Sequence, residues 1–428
     1  MDDVNSSRKR SLMRLIGPGI LVAATGVGAG DLATGAFTGA QLGVAVLWAV
    51  TVGALLKYVL NEGLARWQLA TGQTVLEGVA VHFGRITIGA FLVYLFFWSF
   101  FVGSALMSAC GVTLHAIFPL LEPNEDKIFY GILHSAAAVI AVRRGGYELF
   151  QKIMGICIGV MFVTVIVTAI ASRPSWSDVL SGLVWPTIPN IDGGGLAWTV
   201  ALMGGVGGTV TVLCYGYWIL EEGRDNPQAL GTCRADLAIG YAMTALFGIG
   251  MVILGSTVSL EKESPAQLIV TLADQLEQSL GDFGPFGRWA FLVGAWGAVA
   301  SSMMGVWQCV PCLFADSWSL LWKQPGQSAP ARRNTDSRPY RVYLYLLAFV
   351  PIVGLPFRFD TVQKLYAIVG AAFMPALAVA LLMLNGRWGA IPQEYRNSRL
   401  TTLLLFLTLA LFLLAGWYEL QKQWLADS

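Results

Sequence analysis

Residues 16–43 read IGPGILVAATGVGAGDLATGAFTGAQLG. The stretch is apolar enough to enter a bilayer, yet its middle is interrupted. Four of the ten residues from Gly26 to Gly35 are glycine, and an acid, Asp31, sits among them. Each interior Gly costs roughly 1 kcal/mol of helix stability relative to Ala. Irregular backbone at membrane depth is tolerated only where it is buried in protein or lines a cavity. The stretch therefore reads as two half-helices meeting at a break. Such a break places a helix N-terminus, with unpaired N–H groups and a positive dipole end, at mid-membrane.

A second stretch repeats the pattern. Residues 198–218 read WTVALMGGVGGTVTVLCYGYW, with Gly204, Gly205, Gly207 and Gly208 clustered at mid-span. The two interruptions lie about 180 residues apart, and each opens a group of five apolar runs. Paired interruptions in two halves point to a transporter of inverted repeats that holds its substrate at their interface. The plainer alternative is that the glycines let helices pack closely.

The composition agrees with a membrane protein. Of 428 residues, 56% are hydrophobic and 12% charged, where soluble domains carry roughly 25% charge. The net charge of +1 and the lack of a basic stripe give no reason to expect a nucleic-acid partner. The six cysteines are scattered. Cys309 and Cys312 form CVPC inside an apolar run, with no second pair or nearby His to complete a zinc pattern. Residues 1–14 are polar and basic rather than a cleavable signal.

Runs of spanning length fall at about 14–42, 45–67, 87–113, 128–143, 149–171, 198–220, 235–257, 287–314, 341–356, 362–384 and 400–418, so about eleven transmembrane helices are expected. Basic residues collect in alternate loops: Arg8, Lys9, Arg10 and Arg14; Arg143, Arg144 and Lys152; Arg224 and Arg234; Lys323, Arg332, Arg333, Arg338 and Arg341; Arg387, Arg396 and Arg399. The intervening loops carry Glu122, Glu125 and Asp126, or Glu261, Glu263, Asp274, Glu277 and Asp282. By the positive-inside rule the N-terminus is cytoplasmic and the C-terminus extracellular or periplasmic, in a multi-pass protein of the cell membrane. The expected organisation is a tail at 1–13, a first five-helix repeat at 14–172 and a connection at 173–197. A second, inverted repeat follows at 198–385, then an additional helix at 386–428. Residues 265–280 suit an amphipathic surface helix, and 324–336 a Pro/Ser/Arg-rich loop.

From Gly17 to Leu47, GPGILVAATGVGAGDLATGAFTGAQLGVAVL, the chain resembles the first helix and following loop of the Nramp metal-ion transporters. The resemblance continues to Ala70-Thr71-Gly72. It returns at Phe150-Gln151-Lys152, Gly208-Thr209-Val210, Asp236-Leu237-Ala238-Ile239-Gly240 and Ala300-Ser301-Ser302. It implies an all-α fold of the leucine-transporter type, with two inverted five-helix repeats, an eleventh helix, and helices 1 and 6 broken.

The departures from the family pattern are chemical. Where the family has Asp-Pro-Gly-Asn, with Asp and Asn as metal ligands, this chain has Gly28, Ala29, Gly30 and Asp31. Met-Pro-His of the sixth helix is here Thr211, Val212 and Leu213, and that helix's second His is Trp218. The third helix carries acids in the family, but LFFWSFFVGS, from Leu95 to Ser104, has none. The only histidines, His82, His115 and His134, lie outside both interruptions. Transition metals select imidazole and soft sulfur, and hard cations select several oxygens. The metal ligands are therefore not expected to carry over.

What remains at two facing breaks is backbone and hydroxyls, with Thr25, Thr34, Thr209 and Thr211 close by. Glycine-rich helix N-termini favour anions. The chain also resembles the branch of Nramp-related proteins that lacks the metal motif and carries bicarbonate. The first expectation is thus a secondary transporter of a small inorganic anion, bicarbonate foremost, working by alternating access. The expected site comprises Gly26, Val27, Gly28, Ala29, Gly30, Asp31, Gly207, Gly208, Thr209, Val210 and Thr211, with Leu213 at its edge. The alternative is a carrier of Mg2+ or Mn2+ that uses Asp31, backbone carbonyls and water. A receptor on the same scaffold lacks a soluble domain to relay a signal, and no nucleophile–base pair suggests an enzyme. No cofactor is expected, Na+ or H+ is the candidate coupling ion, and a monomer is the expected state.

Two ionisable residues bear on the choice. Lys57 falls near mid-depth of the second run, VLWAVTVGALLKYVLNEG. An ionisable group there is a functional-site hypothesis by default. It could present charge to an anion, pair with Asp31, or neutralise Glu62. Asp31 could cap the second half-helix, bind a coupling cation, or bind a substrate cation. Glu221 and Glu222 end the sixth run as a solvated helix end or an inner gate.

Overall fold

The computed structural model describes residues 17–144, 147–258, 268–322, 335–387, 389 and 391–426. The basic tail with Arg8, Lys9, Arg10 and Arg14, together with Glu261, Glu263, Lys323, Arg332, Arg333 and most of the 324–336 loop, lies outside the described residues. Among those described there are helices and no strands.

Helix α1 comprises Gly17–Gly26, a π-helical stretch Val27–Thr34, and Gly35–Leu42. It is followed by α2 (Leu47–Thr71), a short α3 (Val75–Phe83), α4 (Arg85–Ile117), α5 (Pro123–Arg144), α6 (Tyr147–Ala171) and α7 (Trp176–Val184). The second half opens with α8 (Gly195–Gly205) and α9 (Tyr215–Glu221). It continues with α10 (Leu230–Gly255), α11 (Leu268–Ser279), α12 (Gly284–Trp322), α13 (Arg338–Phe349), α14 (Phe359–Ala371), α15 (Phe373–Leu384) and α16 (Arg399–Ala426). Each of the eleven expected runs coincides with a described helix or consecutive pair of helices.

Among the described residues, seven helical runs are long and apolar enough to cross a membrane. One of them, Gly30–Thr71, has 42 residues, about twice the ~20 that span a bilayer. It holds two passes, because Gly43, at φ +68°, ends α1 in a conformation that glycine adopts without strain. Two short helices were not anticipated. A capping box opens α3, with Thr74 accepting from Glu77 N–H and Glu77 from Thr74 N–H. After a 120° bend from α6, α7 packs against the start of α2. The expected surface helix is α11, whose Leu268, Ile269, Leu272 and Leu276 are buried.

The interior is built by close helix approach. Helix α10 runs along both α1 and α2, α14 lies on α8, and α12 crosses α4, α5 and α6. At the α1–α10 seam a Cβ on Gly39 would stand 2.2 Å from the Val252 carbonyl oxygen, and one on Gly255 2.1 Å from that of Ala36. Only backbone fits there, and this seam holds the last segment of α1 against α10.

Candidate functional site

The two glycine clusters meet, but they differ in form. In α1 the chain does not part into half-helices with a free N-terminus. It widens into eight residues of π-helix, Val27–Thr34. The cause lies in a neighbouring helix. The Ser302 hydroxyl of α12 accepts from Gly28 N–H at 2.9 Å and donates to the Ala24 carbonyl at 2.5 Å, so it stands in the place of the helix's own 28-to-24 bond. A side chain inserted into the ladder in this way is a recognised cause of helix distortion, and π-turns concentrate at functional sites. The glycines then allow contact between backbones. A Cβ on Gly26 would lie 2.5 Å from Gly208 N, and one on Gly30 2.4 Å from the Gly205 oxygen. For α1, the close-packing alternative holds.

The second cluster is broken outright. Helix α8 ends at Gly205, and Val206 turns to φ −51°, ψ 122°. Gly207 and Gly208 sit at φ +71° and +83°, which only glycine reaches cheaply. A 3-10 turn, Val210–Cys214, then leads into α9.

Lys57 decides what this break presents. Fully buried in the middle of α2, its ammonium donates to the carbonyl oxygens of Gly204 (2.5 Å), Val206 and Gly208. The one amide among them that points the other way, Gly207 N–H, donates to the Asp31 carboxylate at 3.2 Å. Asp31 is completely buried, and it reaches across to the opposite break rather than capping its own helix. Lys57 and Asp31 lie close enough for mutual attraction. Glu62 is not the lysine's partner, since Arg66 and Arg234 hold it at 3.1 and 2.8 Å.

Two of the hydroxyls expected to greet an anion are engaged elsewhere. Thr25 donates to the carbonyls of Leu21 and Val22 in its own helix. Thr209 accepts from Trp98 Nε1 at 2.8 Å and is hydrogen-bonded to Tyr366. Thr211 lies beside Gly208, and Val27, Val210 and Leu213 are buried apolar neighbours. Ala29 lies in the π-helical turn.

Several contributors escaped the sequence reading. Trp98 stands on the acid-free third span. Asn61, one turn beyond Lys57, donates to Tyr241 OH at 3.1 Å, and Tyr241 packs against Gly207. The other amide atom, Asn61 Oδ1, is buried with no hydrogen-bond partner. In sequence, Ser302 stands out only as part of the family motif Ala300-Ser301-Ser302. The spacing of Lys57 and Asn61 on one helix face is a signal that could have been used.

Both ends of the site are shut. At the α1 start, Asp236 accepts from Gly19 N–H (2.9 Å), Tyr215 OH (3.0 Å) and Arg224 (2.9 Å). At the far end, Phe37 packs on Trp198 and Phe359, and Lys364 sits 5.1 Å over the Trp198 ring. Among the described residues no group of three or more His, Cys, Asp or Glu could hold a metal ion. The three histidines are engaged away from the break: His82 with the Gly78 carbonyl, His115 with Asp126, and His134 with the Tyr130 carbonyl and Trp296.

The model of the family described as natural resistance-associated macrophage protein-like, Nramp, matches residues 19–421. The chain belongs to the Nramp family. A protein named divalent metal cation transporter MntH from Chromohalobacter salexigens is 23% identical over 258 residues, 59% of this chain and 58% of its own length. The alignment thus spans under two thirds of that relative. A second of the same name, from Aeromonas hydrophila, is 23% identical over 407 residues, 91% of each chain. In structure, the manganese transporter of Eremococcus coleocola in complex with an aromatic bis-isothiourea compound superposes with TM-score 0.69 at 16% identity, over 96% of this chain and 86% of that one. Mhp1, a nucleobase-cation-symport-1 family transporter, does so at 0.53 and 14%, over 96% and 93%. These likenesses bear out the leucine-transporter-type fold expected from the first helix. Family and fold are those of multi-pass membrane transporters.

Proposed function

We propose that this Nramp-family chain is a secondary transporter of a hard divalent cation, Mg2+ or Mn2+, working by alternating access. The observation that carries the reading is the direction of the backbone at the second break. Three carbonyls, of Gly204, Val206 and Gly208, converge on a positive group, while the amide between them is taken by Asp31. A site that gathers oxygen acceptors around a charge of that sign is built for a cation. Asp31 adds oxygens of the kind that Mg2+ prefers, Asn61 Oδ1 one turn from Lys57 is a buried acceptor without a partner, and waters complete such a shell. The lack of sulfur and imidazole favours hard ions over soft ones. The names of the MntH relatives support the same substrate class.

The ion cannot share the site with the Lys57 ammonium. A 2+ and a 1+ charge about 4 Å apart at an effective dielectric of 20 repel by roughly 8 kcal/mol. Ion and ammonium therefore alternate, and coupling to Na+ or H+ is part of the proposal. Bicarbonate is the second reading. The Lys57 charge favours it, but that ammonium is turned to three carbonyls, and the Gly28 and Gly207 amides and the Thr25 and Thr209 hydroxyls are engaged within the protein.

The test is uptake into proteoliposomes. A metal-sensitive dye inside should report saturable Mn2+ entry, competed by Mg2+ and lost in D31A. Labelled bicarbonate uptake alongside a silent dye would refute the cation reading.

A further inference from the structure

The cation reading leaves open why a transporter should fill its own site with a lysine. We infer that Lys57 is a tethered substitute for the substrate, occupying the carbonyl ring of the empty carrier so that the carrier can close and reset without an ion. The inference rests on the cation reading above and adds a role to a residue that does not travel.

Three observations carry it. First, the contacts of Lys57 are those of a bound ion. Its ammonium touches carbonyls of alternate residues, 204, 206 and 208, across the break. These lie where α8 ends and where helix carbonyls lose their intrahelical partners and the dipole is negative. Second, the site is closed around it. Lys57, Asp31, Asn61 and Thr209 are all buried, so this is an occluded carrier whose cation is part of the chain. Without a positive charge, three carbonyls and the Asp31 carboxylate would face one another in a sealed interior, and buried charge without a partner is strongly disfavoured. Third, the charge is delivered from a separate element on a flexible stem. Lys57 belongs to α2, the ring to the α8–α9 break, and four methylenes join the ammonium to its helix. The ring can exchange one cation for another without any change in α2. The same helix also reaches the other half of the break, through Gln68 Nε2 to the Gly216 carbonyl at 2.7 Å, so α2 contacts both sides of the break.

A carrier with an internal substitute performs net transport, because its empty form crosses between states. Without the substitute, only the ion-loaded form crosses, and the carrier becomes an exchanger. The substitute also competes with substrate, so its removal raises affinity.

The experiment uses the purified full chain in proteoliposomes, wild type against K57M. Net entry of radioactive Mn2+ into metal-free vesicles is measured beside exchange of the same label into vesicles preloaded with Mn2+. The expected result is a fall of at least tenfold in the ratio of net uptake to exchange for K57M. Equilibrium Mn2+ binding in detergent should be at least tenfold tighter in the variant, a gain that misfolding does not produce. An unchanged ratio overturns the inference, as does loss of both modes or binding that is no tighter. If wild-type protein moves neither Mn2+ nor Mg2+ in either mode, the cation reading itself fails, an outcome distinct from a wild type that transports and a K57M that behaves like it.

Discussion

Replacing Gly30 by Ala sets helix propensity against backbone packing at the centre of the molecule. Propensity alone predicts a gain: Gly to Ala within a helix is worth roughly 0.5–1 kcal/mol. The structure predicts a loss. A Cβ at Gly30 would stand 2.4 Å from the Gly205 carbonyl oxygen and 3.1 Å from its carbon. Carbon and oxygen atoms in close contact settle at about 3.3–3.6 Å, so α1 and the end of α8 must part by roughly 1 Å. The atom in the way is backbone, and no rotamer change clears it. Forced overpacking of this kind costs about 1–3 kcal/mol. Gly205 lies between Gly204 and Val206, two of the three residues whose carbonyls hold Lys57, so the displacement falls on the ring itself. A misplacement of about 1 Å can cost on the order of 100-fold in rate. Gly35 provides the control. It is in the same helix, and its added Cβ would meet the Met251 Cβ at 3.2 Å, a crowding that a shift of a few tenths of an ångström relieves. Thermal unfolding in detergent and Mn2+ uptake should therefore fall together in G30A, with uptake down at least tenfold, and stay near wild type in G35A. A G30A protein that melts higher than wild type and transports normally would refute the contact between the two clusters, and the site with it.

Other consequences can be checked separately. D31N keeps the shape of Asp31 but removes its charge, and should abolish Mn2+ uptake while the protein remains monodisperse on size exclusion. In R224A, Asp236 is left buried without its ion-pair partner, a change worth about 3–5 kcal/mol. Alkylation of the buried Cys233, read by mass spectrometry, should quicken at least tenfold as that end loosens. W98F removes the indole donor to Thr209, a bond worth about 1 kcal/mol, and also leaves a space at a fully buried position. Its expected effect is a loss of at least fivefold in uptake together with a lower melting temperature, the latter from the space left by the smaller ring.

The parts of the fold legible in sequence were those that depend on composition over long windows. The apolar runs located the spans, and two glycine clusters located the places where helix geometry gives way. The form of each irregularity was not legible, because it is imposed from outside the segment. The Ser302 hydroxyl on α12 turns the first cluster into a π-helix, and nothing within GVGAGD states that a hydroxyl will arrive from a residue more than 270 positions away. The aromatic and amide groups around the site, Trp98, Asn61, Tyr241 and Tyr366, were likewise hidden. Each is an ordinary residue of an apolar helix until packing brings it to the break.

The sharper lesson concerns which end of a broken helix faces a site. A break exposes two ends, the carbonyls that finish one half and the amides that begin the next, and they suit ions of opposite sign. Glycines announce the break without choosing between them. The choice was nonetheless encoded, in Lys57. A lysine at mid-span must find acceptors, because an ammonium donates three hydrogen bonds and accepts none. In this chain the carbonyls freed by the second glycine cluster are the acceptors it uses. Once the lysine claims them, the break's own carbonyls gather around a positive group and the Gly207 amide is left for Asp31. The residue that seemed to argue for an anion is thus the one whose hydrogen-bonding needs reveal acceptors. In a membrane protein with a glycine break, the sign of a buried ionisable group in a neighbouring helix should be read as the complement of the surface it touches, not as the complement of the substrate.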